Sequence, residues 1–229
     1  MSDPSGYAFD AQAIWRHLPE LAQGLLHTLG ASVLGIMAAV LIGLVFGAAR
    51  AYRVPVANQI GTAYVALFRG TPILVQIFFL YYALPDLGIR LEVSHVAVLA
   101  LALWGGSYNT ENFRAAFIAV PPGAMQAASA LGMPGHLRFI WIALPLAVRV
   151  ALPSLGNTSI SVLKDSAYLS VIAYAELTYV ATNIVAIEFR VFEMFAVLAA
   201  TYLGMVLLLS WGLSRITAHL ARRGTVGDL

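Results

Sequence analysis

Long apolar runs, parted by short polar or prolyl interruptions, set the pattern of this chain. Leu25 to Ala49 is the first such run. A helix needs about 20 apolar residues to cross the hydrocarbon layer of a bilayer, so this run predicts a membrane span. Gly35, Ala39, Gly43 and Gly47 recur within it at every fourth position. On a helix they share one face, where small side chains let a second helix approach closely. Arg50, Arg53 and Pro55 then form a basic turn, and Val56 to Leu84 supplies a second span. Arg69-Gly70-Thr71-Pro72 interrupts that span and predicts a kink or a fresh helix start. Asp86 to Glu92 is a mixed-charge loop, and Val93 to Phe117 a third span. A fourth begins between Leu146 and Ala151 and runs to Lys164, and Phe192 to Leu213 is the last. Between these two, Asp165 to Ala186 carries polar residues every few positions. Irregular polar backbone at membrane depth is tolerated only inside protein or beside water, so this stretch predicts a re-entrant or broken helix lining a cavity.

The ends and the middle differ from the spans. Met1 to Glu20 is a polar lead with Tyr7, Phe9, Ile14, Trp15 and Leu18 as anchors, either a short interfacial helix or, over its first residues, a disordered tail. Ser214 to Leu229 is a basic tail with Arg215, Arg222 and Arg223. A loop over 118–149 separates the third and fourth spans. In it Pro121 and Pro122 predict a helix start, and Ala124 to Leu131 favours helix. Gly132 predicts a left-handed C-cap, and Met133-Pro134-Gly135 blocks continuation. A second short helix places Leu137, Ile140, Trp141 and Leu144 on one face and is expected to stop at Pro145. The product is helix, sharp turn, helix: a protrusion suited to a partner's groove, or an amphipathic hairpin lying on lipid. Periodicity leaves both open.

Composition narrows the class. With 60% hydrophobic and 10% charged residues and a mean hydropathy of +0.82, the apolar surface exceeds what one soluble core can bury. The expected fold is an all-α polytopic membrane protein, a single domain over 1–229 with an outer lead (1–20), a membrane core (21–213) and a tail (214–229). The net charge of +2 is spread thinly, with no basic run interleaved with aromatics, so nucleic acid is not implied. The absence of cysteine excludes disulfide frameworks and thiolate chemistry. Acidic residues precede the first apolar run, which reads as a retained span rather than a cleaved signal. Basic residues set the orientation. Arg50, Arg53, Arg114, Arg138, Arg149, Arg215, Arg222 and Arg223 collect on one side, while the other holds Arg16, Arg90 and Arg190 among more numerous acids. The positive-inside rule then gives five spans, N-terminus outside, C-terminus and central loop cytoplasmic.

Polar groups in apolar surroundings mark candidate chemistry. Lys164 and Asp165 end an apolar span, and each would cost about 2.5–3.5 kcal/mol at a bilayer centre. They read as a pocket complementing the two ends of a zwitterion, or as an interfacial pair with a snorkelling lysine. Asn157, with Ser154, Thr158, Ser159 and Ser161, gives the fourth span a polar face that either bonds across helices or borders a solute path. Glu176 belongs either to that pocket or to the outer surface. Glu111 and Arg114 are spaced as an i, i+3 structural ion pair, and Arg69 as an interfacial anchor. No metal-ligand or nucleophile-base spacing occurs, and no phosphate-binding glycine-lysine loop, so the chain is not an ATPase and its expected metal content is none.

Gln126-Ala127-Ala128, Gly132 and Ile142-Ala143-Leu144-Pro145 stand at the spacing of the glutamate-alanine-alanine loop of ATP-binding cassette (ABC) importer permeases. Phe68-Arg69-Gly70-Thr71-Pro72 with Gln76, Tyr108 with Glu111 and Arg114, Arg149 with Leu152-Pro153 and Gly156-Asn157, Lys164-Asp165-Ser166 and Glu176-Leu177 follow in order. Over roughly Leu21 to Arg223 the chain resembles the polar amino acid uptake branch of that family, with its MetI-like transmembrane domain. The resemblance implies a bacterial inner-membrane permease subunit that binds no cofactor itself. Its partners would be an ABC ATPase dimer using ATP, a second permease subunit and a periplasmic solute-binding protein. Gln126, Ala127, Ala128, Leu131, Gly132, Ile142, Leu144 and Pro145 would form the ATPase-coupling loop, and Lys164, Asp165, Asn157, Glu176 and Ser161 the substrate pocket. Gln126 replaces the family's usual glutamate, and Ser166-Ala167-Tyr168 its usual threonine-serine-leucine. The alternative class is an ion- or proton-coupled carrier, or a membrane scaffold without transport.

Overall fold

The computed structural model describes residues 9–222, with side chains to residue 219. Tyr7 and the tail arginines Arg222 and Arg223 therefore lie outside what can be said of side chains. All regular structure among the described residues is helical. Helix α1 (Ala11–Arg16) is capped by Asp10, whose carboxylate accepts the Gln12 and Ala13 N–H groups. After the His17 turn, α2 (Leu18–Ala51) runs 34 residues without a break, so the helix of the first apolar run starts well before Leu25. α3 (Ala57–Gly70) and α4 (Ile73–Phe78) are bent by 106° at Thr71-Pro72, far more than an ordinary proline kink. Gln76 explains how so sharp a break survives in apolar surroundings. Its Nε2 donates to the carbonyls of Phe68 (2.9 Å) and Thr71 (3.0 Å), satisfying acceptors that the broken helix leaves exposed.

α4 passes through a π turn (Phe79–Ala83) and a 3₁₀ turn (Leu84–Leu87) to Gly88, then α5 (Val93–Ile118) begins. α6 (Pro122–Ala130) and α7 (Gly135–Arg138) form the central loop, followed by a second π turn (Phe139–Ala143) and α8 (Leu144–Asp165). The 166–188 stretch is the expected broken helix. It holds a 3₁₀ turn (Ser166–Ile172), a left-handed Ala173 and α9 (Leu177–Glu188). α10 (Val191–Arg222) ends the described chain, so the stretch read as a basic tail is helical at its start.

The core is the contact of α2 with α5, and the glycine stripe is its cause. A Cβ on Gly35 would come 2.8 Å from the Leu101 Cβ, and one on Gly47 2.6 Å from the Phe113 Cβ. Ala39 meets Gly105, and Gly43 lies against Asn109. Each partner on α5 is the same number of residues further along the chain, which requires α2 and α5 to run in the same direction. Against α8 the order reverses: Gly105 meets Val162, whereas Asn112, further along α5, meets Thr158. Two parallel helices joined by residues 52–92 require that segment to carry the chain back from one end of the bundle to the other. The bent α3–α4 pair is what makes this return.

Three described helical stretches are long and apolar enough to cross a membrane: Leu18–Ala51, Gly135–Ile172 and Val191–His219. The α3–α4 pair makes a fourth if taken as one broken span. α5 falls short on hydropathy because polar residues from Ser107 to Arg114 crowd its second half. Ser107, Asn109 and Thr110 are nevertheless buried, so neighbouring helices shield the polar half.

Pro145 does not stop a helix. α7, the π turn and α8 form one continuous stretch, with the Leu144 N–H bonded to the Phe139 carbonyl five residues back. A proline in an α-helix clashes with the carbonyl four residues before it, and the wider turn ahead of Pro145 relieves that clash. The extra residue also rotates the face expected from Leu137, Ile140, Trp141 and Leu144. Ala143 is fully buried, Phe139 is half-buried, and Ile140 (48% exposed) and Trp141 (70%) point away from the bundle. Phe79-Leu80-Tyr81-Tyr82-Ala83-Leu84-Pro85 has the same pattern as Phe139-Ile140-Trp141-Ile142-Ala143-Leu144-Pro145, and it makes the same turn, with Leu84 N–H bonded to Phe79.

Candidate translocation cleft and exposed loop

Two polar constellations come from helices that the glycine stripe has already aligned. On α5 and α8, Trp104 and Tyr108 face Asn157, Thr158 and Ser161 across a cleft of about 320 Å³. Asn157 and Ser161 are one turn apart on the same side of α8, and Trp104 and Tyr108 are a turn apart on α5. Their rings lie 4.7 Å apart, and the Arg69 guanidinium sits 4.7 Å over Tyr108, carried there by the end of α3. Arg69 is thus placed beside the cleft, a position its reading as an interfacial anchor did not include. Asn112 donates to Thr158 Oγ1 (3.1 Å) and to Asn109 Oδ1 (3.2 Å), tying α5 to α8 just beyond the cleft. Such a lining offers amide and hydroxyl partners and aromatic faces to a small polar solute.

The five pocket candidates therefore part company. Asn157 and Ser161 line the cleft; Lys164 is exposed and Asp165 half-buried at the end of the same helix, and no ion pair joins the two. Glu176 lies elsewhere and is fully buried as the N-cap of α9. Its carboxylate accepts Thr178 N–H (2.8 Å), Tyr179 N–H (2.7 Å) and Tyr202 O–H (3.0 Å), tying α9 to α10. Glutamate is an uncommon N-cap, so only the fold reveals this engagement. Trp104 gave no sequence signal beyond its spacing from Tyr108.

A second constellation sits toward the far ends of α2 and α5. The Glu111 carboxylate accepts Arg114 (2.9 Å from Nε, 2.7 Å from Nη2) and also Arg50. The i, i+3 pair is therefore part of a three-residue network that locks α2 to α5, because a half-buried carboxylate is best satisfied by several donors. Arg50, far away in sequence, was not legible as a member.

The loop beyond these ends is built for contact. Gly132 has φ +74°, Met133 N–H bonds the Ala128 carbonyl and Gly132 N–H the Ser129 carbonyl, each at 3.0 Å. This paired closure of α6 needs a left-handed residue, which glycine adopts without a Cβ penalty. Leu131 projects from the turn with 87% of its surface exposed, and Gln126 and Ala127 are exposed beside it, while Ala128 faces inward. At the base of the loop the Phe139 ring stacks on Phe117 (5.6 Å) and meets Tyr52 edge-on (5.9 Å).

A bundle of long apolar helices with a polar cleft between α5 and α8, and an exposed loop continuous with one wall of it, is the build of a membrane transport subunit. Residues 14–224 match the family described as binding-protein-dependent transport system inner membrane component, and the chain belongs to it. The glutamine transport system permease protein of Escherichia coli (strain K12) is 38% identical over 210 residues, 91% of this chain and 96% of that protein. The L-cystine transport system permease protein of Bacillus subtilis (strain 168) is 34% identical over 166 residues, 72% of this chain and 70% of that one. A solved amino acid ABC transporter with histidines shares the fold at a TM-score of 0.83 and 33% identity, covering 93% of this chain and all of that one. The MetNI methionine ABC transporter in an inward-facing conformation agrees in fold alone, with a TM-score of 0.76 at 18% identity. These relatives are permeases, subunits that do not themselves hydrolyse ATP.

Proposed function

We propose that this chain is the permease subunit of an ABC importer that carries a polar L-amino acid, or a related zwitterion, from periplasm to cytoplasm by alternating access. The observation that carries the reading is the continuity of α7, the π turn and α8, which joins an exposed loop to the Asn157–Ser161 wall of the cleft in one helix. Glutamine and cystine, named for two relatives, set the class of cargo. Five spans follow if α3–α4 crosses once and α5 crosses as a shielded polar helix. The N-terminus is then outside, and the loop, with its arginines, is cytoplasmic. Two ATPase subunits grip the 124–145 loops of this chain and of a second permease, identical or homologous, while a solute-binding protein delivers cargo outside. Gln126 cannot offer the charge a glutamate would, so docking rests on shape and on the apolar Leu131 beside Gly132. Lys164 and Asp165 stand at the outer mouth of the path.

Reconstitution tests this directly. Liposomes holding the permease, its co-purified ATPase and its solute-binding protein accumulate L-glutamine or L-cystine only when ATP is supplied to the ATPase side. Uptake driven by a proton gradient without ATP rejects the reading in favour of a secondary carrier.

A further inference from the structure

Serine and threonine inside a helix commonly turn their hydroxyls back onto a carbonyl three or four residues earlier. On α8, Ser154, Thr158 and Ser159 do so, bonding the carbonyls of Ala151, Ser154 and Leu155 at 2.8–3.1 Å. Asn157 and Ser161, on the cleft side of the same helix, make no hydrogen bond among the described residues. Arg69 shares this condition. Its guanidinium lies over the Tyr108 ring, is exposed, and pairs with no carboxylate among the described residues. Glu111, one turn beyond Tyr108 on α5, is already held by Arg50 and Arg114. Three guanidiniums thus share one carboxylate at this end, which leaves two positive charges in excess. No acidic residue lines the cleft itself. The break after α3 is what brings Arg69 here: the helix ends at Gly70, and Gln76 holds the bend. A guanidinium stacked on an aromatic face keeps its in-plane N–H groups free, and these match the two oxygens of a carboxylate.

We propose that Arg69 is the carboxylate-binding residue of the cleft. Its fork takes the α-carboxylate of the cargo beside Tyr108, while Asn157 and Ser161, whose side-chain oxygens are free to accept, take the ammonium. The proposal rests on the reading of the chain as an amino acid permease. It adds which end of the zwitterion meets which helix: the carboxylate at the end of α3, the ammonium at α8. An amine that lacks the carboxylate leaves the guanidinium unanswered in a cleft that offers it no acid. A site built around a charged partner rejects an analogue without that partner far more strongly than an apolar pocket rejects a missing methylene.

Titration calorimetry on the permease–ATPase complex in nanodiscs, with the solute-binding protein left out, reads the cleft directly. The probes are two pairs, each an amino acid and its decarboxylated form: L-glutamine with γ-aminobutyramide, and L-cystine with cystamine. In the wild type, at least one amino acid binds about 10–100-fold more tightly than its decarboxylated form, the range for hydrogen bonds to a charged group. In Arg69→Gln the amino acid loses this advantage while the decarboxylated form binds as before. Arg69→Lys, which keeps the charge without the fork, recovers part of it. Tyr108→Leu removes the ring that carries the guanidinium and shrinks the same preference, so the test does not depend on one variant folding. An Arg69 that only braces Tyr108 or the end of α3 would weaken both members of a pair alike, and that result overturns the assignment. So does a wild-type complex with no preference for either amino acid over its decarboxylated form. ATP-driven uptake into liposomes, measured alongside, separates the two readings. Uptake without the preference rejects the carboxylate site alone, and an Arg69-dependent preference without uptake keeps the site and rejects the importer.

Discussion

At the scale of single residues, glycine does two different things in this chain. At Gly132 it supplies a backbone angle, and along α2 it supplies the absence of a side chain. The second role is the more demanding, because a Cβ on Gly43 would press into the Asn109 Cβ and come within 2.8 Å of that residue's backbone, which cannot turn aside. Gly43→Ala is expected to lower stability by about 1–3 kcal/mol through forced separation of α2 and α5. Gly204 in α10, where a Cβ meets nothing within 4 Å, is the control: Gly204→Ala leaves stability unchanged or raises it. Thermal unfolding of both variants in detergent decides the point, and equal losses would show that the stripe does not govern packing. Glu176 belongs at the same scale. Sequence marks it as an ionisable group in apolar surroundings, yet whether it meets a solute or an N-terminus depends on where α9 begins.

At the scale of elements, one end of the molecule is held by a polar clasp between the start of α2 and the end of α9. His17 bonds Glu20 through Nδ1 (3.0 Å) and Glu188 through Nε2 (2.8 Å), and Arg16 approaches Glu188 at 3.9 Å and Asp10 at 3.4 Å. The hydrogen bond to Glu188 raises the His17 pKa above its ordinary 6.5, against the opposing effect of burial, with Glu20 adding to the rise. A raised folded-state pKa means the clasp contributes fully below pH 6.5 and is lost as pH rises through the higher folded value. The stability advantage of the wild type over His17→Gln should accordingly be largest in mild acid and shrink as the medium turns alkaline. An advantage that does not vary with pH removes the histidine from this role. The same scale holds the two π turns. Their heptads are plain in the sequence, but proline after a short apolar run reads as a stop, and only the observed bonding shows a widened turn that lets the helix continue.

For the whole molecule, the parallel run of α2 and α5 decides topology more firmly than hydropathy does. Because residues 52–92 must return the chain to its starting end, Leu87 and Gly132 belong to opposite ends of the bundle. Single cysteines at these positions, both exposed, should react with an impermeant maleimide from opposite faces of the membrane. Labelling of both from one face overturns the five-span arrangement.

Sequence by itself determined that this chain is an all-helical membrane protein, where its apolar runs lie, and that its loop carries the signature of an importer permease. Those properties are local or periodic: hydrocarbon length, a glycine at a left-handed turn, small residues at every fourth position. Tertiary structure alone decided the partners of each polar group. Asn157 and Ser161 join Trp104, Tyr108 and Arg69 around a cleft, Arg50 joins Glu111, and Glu176 is withdrawn to cap a helix. The reason is physical: a polar side chain in an apolar medium must find a partner, but the partner lies on another helix. Which helix that is depends on the direction and depth at which the glycine-lined faces come together.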